Sequence, residues 1–230
     1  MTLANSGNNF GGTLSITGAA VSVRDADALA LQLTASGAST IVTGGALQLS
    51  GGVTGAAGAL TVTAGGPVML GALSVGGPLK IESGAAIDQQ TAVDGATDAP
   101  SLKVAGVSTI TAAGQAVSLS NPANDFAGAV TVNAASISLR DANAMQVVLN
   151  SPVVSTGGST GGASSTQSDP QASASQSGSL RVTTGGALTV SGTIAGTDKT
   201  LTLVSGASTT MGALSLQGAL SLTSAGAVTQ

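Results

Sequence analysis

From Thr13 onward the chain places its apolar residues in short alternating bursts: Leu14-Ser-Ile16, Val21-Ser-Val23, Leu29-Ala-Leu31, Leu47-Gln-Leu49 and Leu60-Thr-Val62. Further bursts follow at Val68-Met-Leu70, Leu73-Ser-Val75, Leu79-Lys-Ile81, Leu102-Lys-Val104 and Val117-Ser-Leu119. Two apolar side chains flanking a small or polar one put the apolar pair on one face of a strand. Between the bursts lie Gly-Gly, Gly-Ala, Ser-Gly and Ala-Gly, the composition of tight corners. A helix would need apolar positions at i, i+3, i+4 and i+7, and the Gly and Thr density would weaken it further. The closest bursts, at Leu60, Val68, Leu73 and Leu79, predict three short strands in about 20 residues, one turn of a β-solenoid. A sandwich would need longer strands with turn signals about every 8–12 residues.

The chain also repeats on a longer scale. Subtracting 116 aligns Asn121 with Asn5, Phe126 with Phe10, Gly128 with Gly12, Arg140 with Arg24, Asp141 with Asp25, Asn143 with Asp27 and Met145 with Leu29, without a gap. Past Leu149 the match breaks and resumes at an offset of 141, where Gly185-Gly-Ala-Leu-Thr-Val-Ser-Gly192 aligns with Gly44-Gly-Ala-Leu-Gln-Leu-Ser-Gly51. The change of offset is a 25-residue insertion, placed by composition at Ser155–Gly178, a Ser-, Gly- and Thr-rich stretch without an apolar residue larger than Ala. Such a stretch predicts a flexible loop thrown out from one corner, because it cannot bury enough surface to offset its ordering entropy. The domain expectation is therefore one β-solenoid segment over 1–230, built of two long repeats, about 1–116 and 117–230. No capping element is recognisable at either end, which predicts an internal piece of a chain that continues into further repeats.

Composition narrows what this fold can do. Hydrophobic residues make up 42% and aromatics 1%, with no Trp or Tyr, so Val, Leu, Ile and Ala must build the core. Charged residues are 7% and the net charge is −4, which excludes the basic stripe of a nucleic-acid binder. The absence of Cys and His removes the thiolate nucleophile and the commonest metal ligand and general base. No run reaches the roughly 18 apolar residues of a membrane-spanning helix, so no membrane insertion is expected, and the first ten residues lack a signal-peptide pattern.

The candidate positions are the ones that recur: Asn5, Phe10, Gly12, Asp25 and Asp27 in the first copy, and Asn121, Phe126, Gly128, Asp141 and Asn143 in the second. The Asp-Ala-Asx pair would point both side chains the same way if it lay in a strand. Calcium would need more converging oxygens than this, and the Gly-Gly-x-Gly-x-Asp run of calcium-binding repeats is absent. Capping of corners by hydrogen bonds to backbone amides is the expected role, with no metal and no cofactor. Arg24 and Arg140 should face solvent. The two Phe residues should plug the core at the start of a turn, rather than stack on a sugar. Ten acidic residues are spread along the chain with no His, Tyr or Cys beside them, so no catalytic set is expected. Thr61-Val-Thr63 is an isolated Thr-x-Thr triplet and predicts no ice- or crystal-binding face.

The run Asn124-Asp-Phe126, Gly128, Val130, Val132, Ile137, Leu139, Asp141-Ala-Asn-Ala-Met145, and the ending Ala225-Gly-Ala-Val-Thr-Gln230, resemble the repeats of filamentous haemagglutinin and similar very large bacterial surface proteins. The resemblance covers the chain apart from Ser155–Gly178. It implies a right-handed parallel β-helix from an adhesin exported by two-partner secretion, or as an autotransporter-like passenger, in a Gram-negative bacterium. It further implies a secreted or cell-surface location, and a stalk or contact surface in adhesion toward a host-cell glycan, a matrix protein or another bacterial surface. A structural spacer that binds nothing is the alternative, and a polysaccharide-acting β-helix enzyme is the reading from another class. No export domain and no receptor-contacting residue carries over.

Overall fold

A computed structural model of the chain describes residues 1–90, 100–152 and 178–230, and every regular element among them is a β-strand. Alternation produces the inside and the outside directly. The strand Val21–Asp25 buries Val21, Val23 and Asp25, and the strand Leu29–Ala35 buries Leu29, Leu31, Leu33 and Ala35. Outward positions between them carry Ser22, Arg24, Ala30, Gln32 and Thr34.

Successive turns stack with parallel register. Leu29 lies on Leu47, Leu47 on Val68, Val68 on Ile87, Ile87 on Val117, Val117 on Ile137, Ile137 on Leu180, Leu180 on Leu201 and Leu201 on Leu220. A second inward row runs Val23, Ile41, Val62, Ile81, Ile110, Val132 and Leu149. Each step in these rows is a parallel strand pair, so the architecture is an all-β parallel β-solenoid. Leu29, Leu47, Val68 and Ile87 are spaced by turns of 18 to 21 residues. The two wider intervals, Ile87 to Val117 and Ile137 to Leu180, contain residues 91–99 and 153–177, which lie outside the described residues. The expected loop at Ser155–Gly178 falls there, apart from Gly178. At the usual strand spacing a stack of this kind, about ten strands high, is roughly 45 Å long.

Strands are longer and fewer per turn than the bursts imply. Val68-Met-Leu70 and Leu73-Ser-Val75 belong to one strand, Val68–Val75, and Leu29-Ala-Leu31 continues inward-facing to Ala35. Each of these turns thus has two strands, not three. The reason lies in the turn beneath: Leu47–Val53 offers a continuous ladder, and the extra residue at Gly71-Ala72 is absorbed by a register shift between Leu49 and Gly51. Gly51 has φ +101°, and a Cβ there would lie 2.0 Å from the carbonyl oxygen of Leu33. Its counterpart Gly192 has φ +130° and the same 2.0 Å approach to the Leu149 carbonyl oxygen, so both copies need Gly at this step.

Aliphatic side chains fill the interior, and Phe126 is the largest side chain fully buried in it. Several hydroxyls that point inward at strand ends serve the corners, although that of Ser108 has no partner. Thr43 donates to the Gly45 carbonyl at 3.0 Å and Thr184 to that of Gly186 at 2.9 Å, the same bond in both copies. Ser83 donates to the Gly66 carbonyl at 2.8 Å. These bonds satisfy polar groups that the corners would otherwise bury unpaired.

Candidate functional site

The recurrent Asn-x-Phe and Asp-Ala-Asx segments meet at one corner in each copy. Asp25 and Asp141 are the last residues of their strands, and the bend that follows presents backbone amides to them. Asp25 accepts the Phe10 amide at Oδ2 and the Asp27 amide at Oδ1, both at 2.8 Å. Asp141 accepts the Phe126 and Asn143 amides, both at 2.7 Å. One carboxylate therefore ties the start of a turn to its own following bend. Both carboxylates are 2% exposed. Burial pushes the Asp141 carboxyl above its ordinary value; the two amides pull the other way, and Asp125 adds to the rise.

The two side chains of each Asp-Ala-Asx pair do not share a face. Asp25 and Asp141 are buried, whereas Asp27 and Asn143 are exposed. Strand alternation ends at the first Asp, and the next two residues form the bend, so the second side chain swings outward. There Asp27 accepts from Asn9 Nδ2 at 2.7 Å. Asn5 and Asn121 form the matching turns upstream, accepting the amides of Gly7 at 2.9 Å and Ala123 at 2.8 Å. Arg24 and Arg140 are exposed. Phe126 is 1% exposed, lying in register on Val104, while Phe10 is only half-buried. Phe10 lines an open groove of about 410 Å³ with Asn9, Thr13, Asp27 and Gln48.

A second polar cluster was not legible in the repeat pattern. Asn124 is fully buried and uses its whole amide: Oδ1 accepts from the Leu102 amide at 2.9 Å and from Gln89 Nε2 at 2.8 Å, and Nδ2 donates to Gln89 Oε1 at 3.1 Å and the Leu119 carbonyl at 3.2 Å. Gln89 Nε2 also reaches the Pro100 carbonyl at 2.6 Å, and Asn121 Nδ2 the same oxygen at 2.9 Å. The equivalent Asn8 makes simpler bonds, to the carbonyls of Leu3 at 3.0 Å and Arg24 at 3.2 Å. The only signal for this cluster was the recurrence of Asn8 at Asn124; nothing in the sequence joins Gln89 to it.

Asn5, Asp25, Asn121 and Asp141 thus spend their side-chain oxygens on backbone amides in both copies. A family described as repeats of unknown function (DUF5649) matches residues 18–70, 57–133 and 197–230. The chain belongs to this family. The DUF5649 matches overlap at 57–70, and each is longer than one turn of the stack. The first takes in Asp25 and Asp27, and the second Asn124 and Phe126. No curated protein and no solved structure gives a match. Among the described residues no helix is long and apolar enough to cross a membrane.

Proposed function

We propose that this repetitive β-solenoid scaffold is a stretch of a bacterial adhesin, secreted or held at the surface of a Gram-negative cell, where it provides both stalk and contact surface. The carrying observation is the division of labour among its polar residues. Inward Asp25, Asp141 and Asn124 are consumed in joining one turn to the next, so the stack extends by repetition alone. Outward residues form ladders along the axis instead. Ser22, Thr40, Thr61, Lys80, Thr109 and Thr131 stand in register on successive strands. Such a surface is long, weakly charged and rich in hydroxyls, which suits contact with a glycan or matrix protein. The resemblance to filamentous haemagglutinin repeats supports the same reading, including export by two-partner secretion and continuation into further repeats. The scaffold has no catalytic role in this proposal and does not act on nucleic acid.

The test is adhesion by the purified segment, measured on host cells, immobilised glycans and matrix proteins. Saturable adhesion is the expected result. Its complete absence on all three surfaces would leave a spacer that presents a binding domain elsewhere. Release of reducing ends from a polysaccharide panel would instead establish an enzyme.

A further inference from the structure

The two copies differ at one corner, and the difference lies in side chains that close it. By the 116 offset Pro152 stands where Ser36 stands, and by the 141 offset Gly178 stands where Gly37 stands. The backbone agrees: a Cβ on Gly37 would lie 2.8 Å from the Ala19 carbonyl oxygen, and one on Gly178 would lie 2.6 Å from that of Ala135, the residue equivalent to Ala19. Residues 153–177 therefore come between two positions that are chain neighbours in the first copy.

Lys199 sits at this break, although its counterpart in the first copy is Gly58. It is 6% exposed, in a chain with six Lys and Arg in all. Its Nζ donates to the Ala135 carbonyl at 3.1 Å, to the Pro152 carbonyl at 3.2 Å and to Ser151 Oγ. Ser151, where the first copy has Ala35, passes its own hydrogen to the Ala135 carbonyl at 3.1 Å. The lysine stem lies against the other side of the break, its Cε 3.3 Å from where a Gly178 Cβ would be. One side chain thus bonds the last residue before the break and lies beside the first after it. With three acceptors around it, the ammonium has a partner for each of its hydrogens.

The first copy closes the same corner without these groups. There the Gly37 amide donates to the Ala19 carbonyl at 2.5 Å, and neither Gly58 nor Ala35 has a side-chain donor. Gly→Lys and Ala→Ser are both unfavourable in a packed stack unless the new polar atoms find partners. Both occur in the copy with the extra residues, and their polar atoms meet each other. We propose that Lys199 and Ser151 form a clamp that closes the solenoid turn where residues 153–177 are inserted, making the stability of the stack independent of the inserted residues.

A two-by-two comparison tests the clamp. Lys199→Met is introduced into the full chain, and into a chain lacking residues 153–177 with Pro152 joined to Gly178. In the full chain the melting temperature should fall by about 5 °C, the scale expected for losing charged hydrogen bonds in a domain of this size. In the shortened chain the fall should be less than half of that, since the first copy's corner holds without a lysine. Equal falls in both backgrounds, or none in the full chain, would overturn the clamp. Amide exchange adds a local readout. The Ala195 amide, which donates to the Ser151 carbonyl at 2.9 Å, should exchange at least tenfold faster in full-length Lys199→Met, while the equivalent Thr54 amide keeps its rate. Unchanged exchange at Ala195 would count against the clamp. Should Lys199→Met not fold, Ser151→Ala, which restores the first copy's residue, carries the same comparison.

Discussion

Oδ2 of Asp141 accepts the backbone amide of Phe126 at 2.7 Å, fifteen residues back along the chain, and Asp25 holds Phe10 in the same way at 2.8 Å. The bond fixes where a turn begins relative to the strand beneath its corner. Because burial raises the Asp141 carboxyl above its ordinary 3.8, the folded chain takes up this proton before the unfolded chain does. The resulting stabilisation is fully present below pH 3.8 and is lost as pH rises through the folded value. Asp141→Asn removes the titration and turns an amide nitrogen toward one of the two backbone donors, which costs about 1–3 kcal/mol. Urea titrations at pH 3 and pH 7 should therefore show wild type ahead of Asp141→Asn by more at pH 3. A gap that widens toward pH 7 would mean that the two amides, not burial, govern the carboxyl.

Gly12 and Gly128 hold one repeat position and should respond oppositely to the same change. A Cβ at Gly128 would stand 2.3 Å from the Gly106 carbonyl oxygen, a backbone atom of the turn beneath, whereas one at Gly12 meets nothing within 4 Å. Gly128→Ala should cost about 1–3 kcal/mol through forced displacement of the stacked turn. Gly12→Ala should stay within about 0.5 kcal/mol of the parent. Paired thermal melts decide the matter, and equal costs would refute the stacking geometry at Gly128.

Asn124 is the polar residue whose loss should be felt most. Leucine in its place would strand the Leu102 amide and the Leu119 carbonyl in a buried corner and take one partner from each end of Gln89, costing about 3 kcal/mol or more. Asn8→Leu should cost nearer 1 kcal/mol, because the half-buried Asn8 leaves carbonyls that water can reach. Denaturant midpoints for the two variants should differ clearly, and coincident midpoints would argue against the network.

Residue order alone settles a good deal. Alternation in Val21-Ser-Val23 or Leu60-Thr-Val62 sorts inside from outside because a strand's side-chain period is two and local. The offset of 116 announces a structure of stacked copies, and the density of Gly at corners rules out helix. Each of these depends on neighbours a few residues apart, or on comparing the chain with itself. What the stack alone decides depends on groups about 20 residues away or more. Whether Val68-Met-Leu70 and Leu73-Ser-Val75 form one strand depends on the ladder offered by Leu47–Val53. Which Asp of Asp25 and Asp27 is buried depends on where the strand bends. Gly128 is required and Gly12 is not because of the Gly106 carbonyl one turn below. Lys199 finds its acceptors on Ala135, Ser151 and Pro152, residues that no local pattern connects to it, and only the closure of one turn upon another brings them within hydrogen-bond reach.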